Sequence, residues 1–296
     1  MGLLQSYKNF YLKNHAILLW IPIAVTVIAL IMLGIHYQTT GDILNKDVSL
    51  KGGITATIYT QQTINPEQLQ QTLKQIFGDV EVKQLAEFGS ETPLGIIIET
   101  TASDEQLLKT TLEKELQITL NENNYSVEVV GSSLGESFYQ QMLIAILISF
   151  LLMGIVVLFI YRTFIPSIAV IGAAFADVVI TMAILNFTNI KINTAGISAL
   201  LLLIGYSVDS DILQTTKMLK RTENTVEERM FESVKTTMTM TIAMVGALII
   251  GVLLSTSTTI KEMFLIMLIG LIVDAFYTYW TNSGILLWYA NKRKKA

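Results

Sequence analysis

The stretch LLLIGYSVDSDILQTTK, residues 201–217, places two carboxylates, Asp209 and Asp211, in an otherwise apolar run that ends at Lys217. Such acids belong either to a buried core or to a membrane span, and the surrounding chain decides which. Of 296 residues, 52% are hydrophobic and 15% charged, with a mean hydropathy of +0.54. An average soluble domain is roughly 25% charged. Six segments reach the roughly 17–25 apolar residues that cross a bilayer about 30 Å thick. They are 16–35, 141–160, 164–187, 192–216, 236–260 and 263–290. The first, second and fifth carry no charge; the third carries Asp177, the fourth the Asp209/Asp211 pair and the sixth Asp274. This pattern predicts a polytopic α-helical membrane protein.

The first apolar run exceeds the ~7–15 residues of a signal-peptide core, and no small-x-small cleavage pattern follows it. It is expected to be an uncleaved anchor after a tail of residues 1–15. Lys and Arg concentrate in the tail (Lys8, Lys13), the second-to-third turn (Arg162), the fourth-to-fifth connection (Lys217, Lys220, Arg221, Arg229, Lys235) and the terminal NKRKKA, residues 291–296. The opposite turns hold only Lys191 and Lys261. Basic loops stay cytoplasmic, so both termini are expected in the cytoplasm and residues 36–140 outside, with a five-helix bundle over 141–290. That outer segment holds 6 basic and 15 acidic residues, a net of −9, which does not suit a nucleic-acid binder. The basic tail also suits contact with anionic lipids of the bilayer.

Residues 47–131 alternate strand and helix signals. GITATIYT (53–60) alternates Ile54, Ala56 and Ile58 as a half-buried strand does. NPEQLQQTLKQIFG (65–78) has Asn65 as N-cap, Pro66 at the first helical position and Gly78 as stop, with Leu69, Leu73, Ile76 and Phe77 assigned to one face. VEVKQL and LGIIIET flank a turn at GSETP (89–93). SDEQ (103–106) reads as a capping box opening a second helix with Leu108, Leu112 and Leu116 on one face. YSVEVV (125–130) closes a βαβ-βαβ order, the ferredoxin-like pattern. The domain's acids are expected on solvated faces, and its edge strand suits pairing with an extended polypeptide.

An ionised Asp in mid-bilayer costs roughly 2.5–3.5 kcal/mol on insertion scales. With no Lys or Arg inside the three acidic spans, intramembrane ion pairs cannot neutralise these acids. Proton carriage, or a structural hydrogen bond to Ser, Thr or backbone, remains. Asp209 lies eight residues before Lys217, about 12 Å along a helix, and is expected well inside the hydrocarbon, in a cluster with Asp177 and Asp274, both near mid-membrane. Asp211 lies about 200° around the helix from Asp209 and nearer the surface. The threonines of TTMTMTIAM (236–244) are expected to supply hydroxyl partners, and Gly172, Ala173, Ala174 and Ala176 to allow close helix packing. No metal, cofactor or nucleotide is expected. There is no Cys, the only histidines are His15 and His36, and GGITA lacks the Lys and Ser/Thr of a phosphate loop.

Three motifs carry a family resemblance: DVSLKGG (Asp47 to Gly53, with Gly52), VGSSLGESF (130–138) and GYSVDSD (Gly205, Tyr206 and Ser207 to Asp211). With six spans and one large outer loop, the chain resembles the SecF family, of the SecD/SecF group in the RND superfamily. The resemblance implies a non-enzymatic subunit that pairs with SecD in a twelve-span unit. That unit assists the Sec translocon in drawing a polypeptide across the plasma membrane, powered by proton movement. The family position for the acid or amide is Asp209. Bacterial members read Asn-Asp at 209–210, whereas Asp-Ser-Asp here resembles the archaeal branch. They also carry an Arg near the start of the fifth span, where this chain has KTTMTMT. Two other readings stand beside it: half of a small-molecule or lipid exporter, and a passive scaffold for SecD or the translocon.

Overall fold

In the computed structural model, α6 (Phe164–Phe187) coincides with the third expected span. The structure describes residues 2–62, 64–86, 93–220, 224–255 and 257–295. Before α6 come α1 (Gly2–Thr40), α2 (Val48–Lys51), β1 (Gly53–Tyr59), α3 (Pro66–Phe77), β2 (Val80–Ala86), β3 (Pro93–Thr100), α4 (Glu105–Leu116), β4 (Tyr125–Val130) and α5 (Ser132–Tyr161). After it come α7 (Thr194–Lys220), α8 (Val226–Leu254), α9 (Thr258–Tyr277), a π turn (Thr278–Asn282) and α10 (Ser283–Lys295).

Among the described residues, five helices are long and apolar enough to cross a membrane: the 17–40 part of α1, and α5, α6, α7 and α8. The stretch expected as a sixth uninterrupted span is α9 and α10 joined through the π turn. The fifth expected span is displaced. α8 starts earlier because Thr225 and Glu228 form a reciprocal capping box, and it stops at Leu254. Helices α6 and α7 are central, with Val170, Ala173, Ala174, Ala199, Leu200 and Leu203 fully buried. The three alanines expected to allow close packing, Ala173, Ala174 and Ala176, do so, whereas Gly172 faces open space. Helices α5 and α8 present Leu147, Leu151, Phe159, Ile242 and Ile250 outward. So much contiguous exposed apolar surface is what a lipid solvent tolerates and water does not.

The four strands form one antiparallel sheet in the order β2-β3-β1-β4. Ile54, Ala56 and Ile58 of β1 alternate into a core with Ile96 and Ile98 of β3 and with Leu69, Leu73, Leu108 and Leu112 of the two helices. Asn65 caps α3, its side chain accepting from the N–H groups of Glu67 and Gln68. Ile76 is 52% exposed rather than on the buried face. Leu69, Leu73 and Phe77 follow the four-residue row of a helix, and residue 76 is displaced from it by one 100° step. Helix α4 is capped by Asp104, which accepts from the Leu107 N–H at 2.9 Å, and not by Ser103. The carboxylate also suits the positive end of the helix dipole. Residues 89–92 of the expected GSETP turn lie outside the described residues, and Pro93 opens β3.

The sheet meets the bundle through backbone packed on backbone. Gly52 and Gly53 have φ of +85° and +144°, conformations that disfavour other residues. A Cβ on Gly52 would collide with the Ser132 backbone, and one on Gly53 with the Thr100 carbonyl. A Cβ on Gly135 would lie 2.9 Å from the Leu50 carbonyl oxygen. Two sequence motifs thus dock on each other. Beside them, the Asp47 N–H donates to the Ile192 carbonyl (2.9 Å) and the Ile192 N–H to the Asn45 carbonyl (2.7 Å). Asn186 clamps the same linker, accepting from the Asn45 N–H and donating to the Ile43 carbonyl.

Candidate functional site

Three carboxyl groups converge in the bundle: Asp177 of α6, Asp211 of α7 and Asp274 of α9, with relative exposures of 0%, 0% and 1%. The Ser207 hydroxyl donates to Asp177 Oδ2 at 2.6 Å. The Thr278 hydroxyl lies 2.9 Å from Asp211 Oδ1 and 3.3 Å from Asp274 Oδ1. Asn282 Nδ2 donates to Asp211 Oδ1 at 2.7 Å. The Asp177 and Asp274 carboxyls are neighbours, each near enough to act on the other. Among the described residues, no ion pair involves any of the three. Asp177 Oδ1, Asp211 Oδ2 and Asn282 Oδ1 are buried without a partner.

The helix geometry explains who meets whom. Ser207, Asp211 and Gln214 lie at i, i+4 and i+7, one face of α7. Asp274, Thr278 and Asn282 follow at four-residue steps, which drift by roughly 40° each in an α-helix. The π turn at Thr278–Asn282 takes a wider turn, so Thr278 and Asn282 both reach Asp211. Gln214 extends the polar line by donating to Ser283, whose hydroxyl returns to the Thr278 carbonyl.

The cluster therefore contains Asp211 where the sequence placed Asp209. Asp209 is exposed, on an outward stripe of α7 with Leu202 and Gly205. Depth along the helix put Asp209 inside; the face it occupies puts it outside. The threonines of α8 are not the partners of the acids. Thr237 and Thr239 bond to their own helix, Thr236 receives a bond from Lys217 Nζ, and Thr241 meets Tyr279. Ser207, Thr278 and Asn282 take that role. Tyr206 is half-buried beside the bundle core.

A second polar group lies where the sheet meets the bundle. Lys83 of β2 contacts Glu99 of β3 at 3.2 Å and Glu262 of α9 at 3.0 Å. Lys191, in the α6–α7 turn, pairs with Glu81 of β2 at 2.7 Å. Asn193 donates to Glu262 at 2.6 Å. Asp47 and Glu99 are 8% and 7% exposed, so part of the acidity expected on solvated faces is buried here. Burial, reinforced by Asp47, pushes Glu99 up to about 8 despite Lys83. Burial alone would lower Lys83; Glu99, Glu262 and Glu81 hold it above its ordinary value.

Bundle and outer unit together define a multi-pass membrane protein with a small α+β domain between its first two membrane helices and an acid-lined core. Residues 110–292 match the family described as protein export membrane protein SecD/SecF, C-terminal. The chain is 34% identical over 276 residues to the protein-export membrane protein SecF of Pyrococcus furiosus, covering 92% of this chain and 90% of that one. It is 32% identical over 287 residues to the SecF of Methanothermobacter thermautotrophicus, covering 95% of both. A crystal structure of SecDF, a translocon-associated membrane protein from Thermus thermophilus, superposes with a TM-score of 0.70 at 18% identity. It covers 95% of this chain and 38% of the SecDF chain. The chain belongs to the SecD/SecF family of protein-export membrane proteins.

Proposed function

We propose that this chain is the SecF-type half of a SecD–SecF pair that assists Sec-dependent translocation of polypeptides across the plasma membrane, without enzymatic chemistry of its own. The alignment with little more than a third of a SecDF chain supports the reading as a half. On this reading α9, the π turn and α10 make a sixth span, both termini are cytoplasmic, and the small domain lies outside. The strand order β2-β3-β1-β4 with two helices supports its ferredoxin-like assignment.

The observation that carries a coupled mechanism is the trio Asp177, Asp211 and Asp274 with hydroxyl and amide partners and no cation. Three buried carboxyl groups avoid a large uncompensated charge only if protons accompany them. Asp211 is the transfer position: it accepts from Thr278 and Asn282 through one oxygen and leaves the other free. Proton arrival and departure there change the hydrogen bonding of α7 against α9. The outward stripe of Leu202, Gly205 and Asp209 meets the SecD bundle, which shelters Asp209 in the complex. SecD, the translocon channel, the moving polypeptide and the bilayer are the partners.

The test is export of a secreted reporter in cells carrying Asp211→Asn, with SecD co-purification as control. Loss of export with the pair intact is expected. Normal export would leave a scaffold, and transport of a small molecule with no export defect would favour the exporter reading. Deleting residues 47–131 should abolish export while the helices still insert.

A further inference from the structure

We propose that Asp47 and Glu99 form a second proton-binding site, at the joint between sheet and bundle, and that its proton holds the sheet down on the bundle rim. The site stands apart from the three acids of the bundle core and does not depend on their role.

The two side chains come from different parts of the chain. Asp47 precedes α2 in the linker that is hydrogen-bonded to the α6–α7 turn, and Glu99 stands near the end of β3. Both are more than nine-tenths buried, and both line the same cleft, near enough for Asp47 to act on Glu99. Two neighbouring buried carboxyl groups do not both stay charged without something positive to offset them, and a proton is the smallest candidate. Asp47 Oδ1 has no donor. They line one wall of a cleft of about 680 Å³ between the open face of the sheet and the ends of α7 and α9.

The charges facing the pair do not neutralise it. From β2 comes Lys83, shared between Glu99 and Glu262, and Glu81, which is paired with Lys191 of the α6–α7 turn. From α9 comes Glu262, and from β4 comes Glu128 along the cleft wall. Lys83 and Lys191 thus face Asp47, Glu81, Glu99, Glu128 and Glu262. A proton on Glu99 removes one negative charge and supplies a donor for Asp47.

The direction of the pH effect follows. Freed from the joint, Glu99 titrates near the ordinary carboxyl value of about 4.3; in the joint it is raised to about 8. The joined state therefore binds the proton more tightly. Docking is strongest below the ordinary value, weakens as pH climbs from there to about 8, and loses nothing further above that.

The chain has no native Cys, so spin labels can be placed at Glu122→Cys in the outer unit and Thr188→Cys in the α6–α7 turn. Distances between them are measured on the full chain in lipid nanodiscs from roughly pH 5 to roughly pH 9. The native joint should give one narrow distance at low pH, with the undocked population rising by at least about tenfold, the equivalent of one pKa unit. Glu99→Gln, a neutral mimic of the protonated acid, should stay docked across the range. Asp47→Asn, which removes the opposing charge and leaves the backbone bonds of the linker, should shrink the pH response. A distance that ignores pH, identical profiles for native and Glu99→Gln chains, or a profile set by added or chelated divalent cations would overturn the proposal.

Discussion

The acids of the bundle core are at most 1% exposed and Asp47 and Glu99 of the joint 7–8%, yet among the described residues the joint's acids meet a cation and the core's do not. Asp177, Asp211 and Asp274 rest on Ser207, Thr278 and Asn282, all neutral. Glu99 and Glu262 share Lys83, itself only 23% exposed. A buried ion pair is held by its geometry and becomes a liability when one member is removed. A neutral network can change its protonation without breaking. The joint is built to hold, apart from the Asp47–Glu99 contact, and the core is built to change.

The contrast is broken most strongly at Lys83. Lys83→Met leaves Glu99 and Glu262 facing each other and should destabilise the joint by about 3 kcal/mol, read as faster hydrogen exchange in β2 and β3. Ser207→Ala removes the neutral donor to Asp177 and should cost ~1–3 kcal/mol, the penalty for an unsatisfied buried acceptor, read as a lowered melting temperature. A smaller effect separates caps from sites. Asp104→Ala should destabilise the outer unit by about 1 kcal/mol without touching export. Least of all, Asp209→Asn should leave the melting temperature of the isolated chain unchanged, because its side chain faces outward. If Asp209→Asn lowered it as much as Ser207→Ala, the assignment of the two faces of α7 would be wrong.

These faces mark how far the sequence is legible. The span at 164–187 is read to the residue because apolar length is a local property. The β1 alternation and the Asn65 cap are equally local. The distance from Asp209 to Lys217 measures depth and not direction. The polar line Ser207, Asp211, Gln214 at i, i+4, i+7 identifies the inward face, and Leu202, Gly205 and Asp209 lie on the outward one. The steps Asp274, Thr278, Asn282 hint at a second polar line, but the π turn that aims it leaves no mark on hydropathy. The joint is illegible for another reason: Lys83, Glu99, Lys191 and Glu262 are brought together by tertiary packing across the chain. Glu99, closing an IIIE run, looks like an ordinary end of a strand until Lys83 and Asp47 are placed beside it.

The glycine contact between α2 and α5 has a mechanical consequence. Where Gly52 and Gly135 let main chain rest on main chain, no flexible side chain lies between to absorb displacement. A displacement of α5 at this contact should therefore reach α2 and the start of β1 with little damping, whether or not the far rim of the sheet is docked.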